Sequence, residues 1–215
     1  MEKHVILSTS LGTIEKIWTY PVKSLHYVEH DVIAVQTDGL AGDRRAAMYV
    51  NSEHARTGKT YRGKENNLLH MIVEPDEARG AAEARGVNVE VHAGERYFDA
   101  CPVSLILDRW ITEVEEALGK SLDPLRWRPN FYVRSQAAVK ESELVGKRIE
   151  LGSVTLHVLK PIGRCVTTTY DQKTGESDPD VLGFVARERA NHMGIYCDVE
   201  RTGEVHSGDE VRVLD

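Results

Sequence analysis

The chain has 215 residues, 41% hydrophobic and 28% charged, with a formal net charge of −7 at pH 7. That length buries a core without disulfide or metal staples, as one large domain or two small ones. The acidic balance argues against a surface built for nucleic-acid backbones, and three cysteines without a Cys-x-x-Cys pair suggest neither a disulfide framework nor a zinc site. A reducing, cytoplasmic setting fits this cysteine usage. Met1–Leu7 lacks the apolar run of a signal peptide, and no stretch approaches the length of a membrane span.

Taken in order, Gly12–Tyr20 is rich in β-branched and aromatic residues and reads as a strand. Pro21 ends it, which leaves Lys23 and Ser24 in a loop, either as an anion contact or as a solvated turn. His26 and His30 are four apart, but Val28 and the following strand, Asp31–Val35, favour extended chain there over a helical metal pair. Gly39 and Gly42 mark a turn before Asp43-Arg44-Arg45. Adjacent arginines suit bidentate binding of phosphate or carboxylate, or an ion pair with an acid such as Asp43. Ala46–Val50 resumes an extended run.

Gly58-Lys59-Thr60 imitates the end of a phosphate loop, but Glu53 stands where that motif needs glycine, so the match is discarded. Residues 51–67 form a polar, turn-rich loop suited to a site's margin. Leu68–Val73 reads as a buried strand, and Glu74–Gly86 as a short exposed helix or a loop. Val87, Val89 and Val91 alternate with polar residues, the period of a half-buried strand. Pro102 to Gly119 predicts the strongest helix. Val103, Ile106, Leu107, Trp110, Ile111, Val114 and Leu118 fall on one face, with Pro102 at its first position and Gly119 as its stop. Cys101, just ahead, is expected to pack.

In Arg126-Trp-Arg-Pro-Asn130, Pro129 stiffens the approach to a strand at Phe131–Val133. Arg128 and Asn130 there either read an oxygen-rich ligand or satisfy loop carbonyls. Ile149 to Val158 predicts a hairpin turning at Gly152-Ser153. It leads into Pro161-Ile-Gly-Arg-Cys165-Val-Thr-Thr-Thr-Tyr-Asp171. An adjacent cation, Arg164, favours thiolate, the form that attacks and that ligates metals; a free cysteine is otherwise a small buried hydrophobe. Asp180–Ala190 predicts a shorter helix with Val181, Leu182, Val185 and Ala186 inward. Ile195, Cys197 and Val199 share one side of a strand, and Val211 and Val213 close the last one. The tally is a β-rich α+β chain, a barrel with one long and one shorter peripheral helix.

With the Cys165 loop, Arg126–Asn130 and Gly194-Ile-Tyr196…Gly203-Glu-Val205…Gly208-Asp209…Val211 in view, the chain resembles the MOSC family, the molybdenum-cofactor-sulfurase C-terminal domains. Thr19–Ser24 and Gly42–Arg45 resemble the β-barrel segment that often precedes them. The resemblance implies an N-terminal segment at 1–100, a MOSC core at 101–215, and a MOSC-type β-barrel. It also implies a molybdenum cofactor, a Mo-pyranopterin, with Cys165 as metal ligand. Lys23, Ser24, Arg44, Arg45, Arg128 and Asn130 would hold its phosphate end, Arg164, Thr167 and Thr168 would line the pocket, and Asp171 would lie near the metal as a proton shuttle. Gln172 stands where the family commonly has proline.

Three functions follow. The first is reduction of an N-hydroxylated or related small molecule, with electrons from an external reductase. The second is a sulfur carrier holding a persulfide on Cys165, loaded by a cysteine desulfurase for cofactor or metal–sulfur cluster assembly. The third is a non-catalytic module that binds a phosphate-bearing ligand.

Overall fold

The computed structural model describes residues 8–53 and 56–214; the reading of Met1–Leu7 lies outside them. In chain order the strands are β1 (Ser8–Thr19), β2 (Val28–His30), β3 (Val32–Gln36), β4 (Gly39–Leu40), β5 (Ala46–Val50), β6 (Val89–Ala93), β7 (Val103–Leu107), β8 (Phe131–Arg134), β9 (Arg148–Leu151), β10 (Val154–Gly163), β11 (His192–Arg201), β12 (Gly203–His206) and β13 (Glu210–Leu214). The helices are α1 (Pro75–Glu83), α2 (Asp108–Leu118), α3 (Glu141–Leu144) and α4 (Pro179–Glu188).

Seven strands run in the order β13-β9-β10-β11-β7-β8-β1, and β1 returns to β13 to close the barrel. Closure removes the free edges that an open sheet would leave for stray pairing. One long strand makes it possible. The first part of β1 pairs with β13 and its second part with β8 and β2, with a register shift at Ser10/Gly12. Gly12 has φ +140°, and a Cβ there would lie 1.9 Å from the Arg134 carbonyl oxygen. Only glycine lets the two backbones approach so closely.

The pair β7–β8 is parallel, whereas the other barrel neighbours are antiparallel. A parallel pair needs a crossover, and α2 supplies it. This corrects the helix predicted from Pro102. Val103–Leu107 is a strand with all five residues buried, and α2 begins at Asp108. A short, continuously apolar run satisfies helical and buried-strand patterns alike. The predicted stop stands: Gly119 is left-handed at φ 64° and donates its N–H to Glu115 O. Trp110, Ile111 and Val114 bury the inner face of α2.

Leu68–Val73 is also corrected. It forms a 3-10 turn at Leu69–Met71, with Leu69 and Ile72 buried and Leu68, Met71 and Val73 exposed. In α4, Val181 and Val185 point inward as expected, but Ala186 is exposed. The Glu74–Gly86 stretch is helical as α1, and α2 and α4 are nearly equal at 11 and 10 residues. Cys197 lies fully buried in the barrel core. A second apolar cluster joins Leu25, Met48, Val50, Tyr61, Leu69 and Ile72 to Ala78 and Ala82 of α1 and Val89 of β6. It holds Tyr61 and the Leu69–Met71 turn against the β5–β6 pair and α1.

The end of β10 lies beside the start of β11 (Gly163↔His192), and the end of β1 beside the start of β8 (Ile17↔Phe131). β10 and β8 run in the same direction, so these two pairs of ends lie at opposite ends of the sheet. The chain leaves β1 into Tyr20–Ser24, enters β8 through Arg126–Asn130, and leaves β10 into the Cys165 turn. The three segments meet over the barrel wall, where the paired Ser104 of β7 and Tyr196 of β11 alternate with core residues and face the shared space.

Candidate functional site: a cationic cavity around Cys165

A cavity of about 370 Å³ opens over that wall. It is lined by Lys23, Ser24, Arg44, Arg128, Arg164, Cys165, Thr167 and Thr168, together with Arg62, Gly63, Lys64, His70, Asp99, Ser104, Arg126, Trp127, Ile162, Gly163, Tyr170, Gln172 and Tyr196. Eight of the residues predicted from sequence converge here. Arg45, Asn130 and Asp171 do not line it.

Cys165 is half-buried, with extended backbone, at the start of the Val166–Thr169 3-10 turn. Its Sγ lies 3.1 Å from Thr167 Oγ1, and Thr168 Oγ1 donates to the Cys165 carbonyl at 2.9 Å. The two hydroxyls fix the sulfur and its backbone. Arg164 does not point its charge at a carboxylate. Its Nε donates to Met193 O at 2.8 Å, Nη1 to Trp127 O at 2.9 Å, and Nη2 also to Met193 O. It clamps the loop to β11 and to the approach to β8. Burial pushes its ionisation down to about 10.

A second group of contacts centres on Tyr20. The Arg128 and Arg44 guanidinium carbons lie 4.1 and 4.9 Å from its ring centroid, in reach of the ring's negative face. Arg128 takes a left-handed backbone (φ 50°) and donates from Nη2 to Leu25 O at 2.8 Å. Burial lowers its ionisation to about 10 as well. Asp43, fully buried, pairs with Arg44 and accepts the Tyr20 N–H at 2.7 Å and Asn130 Nδ2 at 3.2 Å. Asn130 Oδ1 also takes the N–H and Oγ–H of Ser104. Asn130 is therefore a brace beneath the cavity. Lys23 pairs with Asp99 at 2.7 Å and donates to Phe98 O. Arg45 faces outward toward Asp38 at 3.4 Å.

The Asp171 carboxylate caps its own turn, accepting the N–H groups of Lys173 and Thr174 at 2.8 and 2.9 Å. Those bonds hold it below the usual carboxylate range, and Arg126 adds to the effect. Its carbonyl accepts from His70 Nε2 at 3.0 Å, which ties the Cys165 loop to the Leu69–Met71 turn.

Sequence reading missed Arg62, Lys64, His70, Asp99, Arg126 and Tyr196. Arg126 sat in view, two residues before Arg128. Arg62 and Lys64 belong to the loop already expected to flank a site, but nothing local marks them.

Seven cationic side chains line the cavity against one carboxylate, Asp99, in a chain of net charge −7. Among the described residues no group of three or more His, Cys, Asp or Glu is placed to hold a metal ion. Fold and site define a closed β-barrel that carries, against its wall, a single thiol among cationic side chains.

The chain is similar to known proteins. The MOSC domain profile matches residues 88–212, more than half of the chain, and the chain belongs to the MOSC domain family. It is 30% identical over 124 residues to mitochondrial amidoxime-reducing component 1 of Danio rerio, covering 54% of this chain and 38% of that protein. It is 34% identical over 86 residues to molybdenum cofactor sulfurase of Drosophila ananassae, covering 39% of this chain and 11% of that one. The chain thus spans well under half the length of these relatives. The YuaD protein of Bacillus subtilis shares the fold with a TM-score of 0.61 at 18% identity, over 97% of this chain and 98% of that one. No helix among the described residues is long and apolar enough to cross a membrane.

Proposed function

We propose that the cavity holds a molybdenum cofactor and that the protein reduces an N-hydroxylated or related small molecule. One observation carries this reading: a half-buried thiol surrounded by seven cations and one carboxylate. The donor set fits the group. A soft thiolate suits a metal already held by sulfur, and phosphate seeks arginine and lysine donors. When bound, the cofactor supplies two-electron oxygen-atom chemistry at molybdenum.

The chain's own residues divide the remaining work. Cys165 is the metal ligand, and the Thr167 hydroxyl orients its sulfur. Lys23, Ser24, Arg44 and Arg128 hold the phosphate. Burial disfavours the charged form of Arg128, and an arriving anion favours it. Arg164 and Asn130 fix the geometry through backbone carbonyls and Asp43. Asp171, turned into its own loop, orders the Cys165 turn. The net conversion takes N–OH to N–H with release of water, and consumes two electrons and two protons. An external reductase supplies the electrons, in a reducing compartment such as the cytoplasm.

A second reading, a persulfide on Cys165 loaded by a cysteine desulfurase, is favoured by the stretch shared with a molybdenum cofactor sulfurase.

Molybdenum content by mass spectrometry on wild type and Cys165→Ser, both made in cells that synthesise the cofactor, separates these readings. Near-stoichiometric metal in wild type and little in the variant is expected. Metal in neither, with a sulfur adduct on Cys165 after desulfurase treatment, establishes the carrier. Neither metal nor adduct, with phosphate binding intact in the variant, leaves a plain anion-binding module.

A further inference from the structure

The cations of the cavity fall into two sets of contacts. Lys23, Arg44 and Arg128 gather around Tyr20 and Asp99. The other set belongs to the Cys165 loop. Arg126 is 5% exposed, yet it lines the cavity. Its Nη1 donates to Thr168 O at 3.1 Å, its carboxylate neighbour Asp171 stands off at 3.8 Å, and its buried Nε has no hydrogen-bond partner. Arg62 also lines the cavity with a buried, unpartnered Nε. Gly63 packs against Thr167, where a Cβ would come within 2.9 Å of the methyl carbon. That contact sets the 62–64 turn beside the residue bonded to the Cys165 sulfur. Lys64 is exposed on the same turn and lines the same cavity.

Arg126 is matched only by one carbonyl and a carboxylate at 3.8 Å, so an oxygen anion in the cavity gains charge-assisted contacts from its guanidinium and from Arg62 on the same lining. One cofactor phosphate is already matched by the set around Tyr20. What comes to the Cys165 end in every turnover is substrate.

We propose that Arg62, Lys64 and Arg126 form a second anion subsite beside Cys165, which takes a carboxylate or phosphate carried by the substrate itself. The preferred N-hydroxylated substrate is then an anion. This rests on the cofactor reading for its chemistry, but not for its binding step.

The test compares benzamidoxime with 4-carboxybenzamidoxime, alike except for one negative charge. Turnover is measured on cofactor-loaded wild type, Arg62→Gln, Lys64→Gln and Arg126→Gln with a chemical electron donor. Binding is measured by calorimetry without a donor, when no reaction occurs. The wild-type kcat/KM ratio should favour the carboxylate by about tenfold or more, the scale of a charge-assisted contact. Each variant should collapse that ratio, and calorimetry should show the same loss. Arg62→Lys should recover part of it. A ratio that is unchanged in the variants overturns the subsite, as does equal binding of the two compounds by wild type. Release of a nucleotide from denatured, loaded protein also overturns it, because the second anion would then be the cofactor's own second phosphate. If the protein carries no molybdenum, only the cofactor reading fails, and calorimetry still decides the subsite.

Discussion

The Arg128 guanidinium lies 4.1 Å from the centroid of the Tyr20 ring, and this contact joins the exit of β1 to the approach to β8. Arg44 lies 4.9 Å from the same centroid. Two like charges are held near one ring because its negative face and the buried Asp43 carboxylate offset their repulsion. The Tyr20 hydroxyl donates to Pro129 O at 3.0 Å. Tyr20 is thus the post on which two of the cavity's cations hang.

Asp43→Ala should be among the most damaging single changes in the chain. It removes the acceptor of Arg44 and of the Tyr20 N–H, and one of the two acceptors of Asn130 Nδ2. A buried cation left without its partner costs about 3–5 kcal/mol. Urea denaturation should show this as a lower midpoint with an unchanged slope. A loss under about 1 kcal/mol would show that the pair contributes little beyond an exposed ion pair.

Gly194 has φ +85°, and an added Cβ would lie 2.9 Å from Leu105 O and 3.2 Å from Arg164 Nη2. Gly194→Ala therefore strains the backbone and presses on the clamp of the Cys165 loop. We expect a stability loss of about 1–3 kcal/mol, together with weaker retention of the proposed molybdenum cofactor. Thermal denaturation reads the first and metal analysis the second. Full metal retention would mean that Arg164 is not needed to position Cys165.

Burial holds the His70 imidazole below its ordinary 6.5, and the Arg128 charge adds to the effect. As pH falls through 6.5, the unfolded chain takes up this proton before the folded chain does. The unfolded state then binds more protons, so stability declines below about pH 6.5 until the folded ring also titrates. His70→Asn should narrow the difference in Tm between about pH 7.5 and pH 5.5. An unchanged difference would assign the pH dependence to other groups.

The three cysteines should separate by reagent. Cys101 and Cys165 are half-buried and Cys197 is buried. Burial pushes the Cys101 and Cys197 thiols up, Cys197 far more. A disulfide reagent should modify two thiols at most in the native protein and the third only in denaturant. Cys197→Ser buries a hydroxyl in an apolar core and should cost about 1–3 kcal/mol, without loss of the molybdenum that the proposed function expects. Rapid native labelling of Cys197 would contradict its place in the core.

The sequence by itself determined most of the extended stretches and their turns, and it marked the Cys165 loop that the structure sets in the cavity. The alternation around Val89, the hairpin at Gly152-Ser153 and the Arg164-Cys165 turn all encode local preferences that neighbours do not overrule. Val103–Leu107 and Leu68–Val73 were not decidable in this way. An apolar run says that a segment is buried, and its neighbours then choose between strand, turn and helix. The closure of β1 onto β13, two hundred residues apart, is likewise a tertiary event. So is the site's full charge: Arg62, Lys64, His70 and Arg126 share a cavity with Cys165 only because the loops meet over the barrel wall and Tyr61, Leu69 and Ile72 are anchored in the second apolar cluster. Asn130 and Asp171 show the converse. Their side chains suit a ligand in sequence, but packing left an unpaired backbone or carboxylate nearer at hand, and each side chain satisfied that need first.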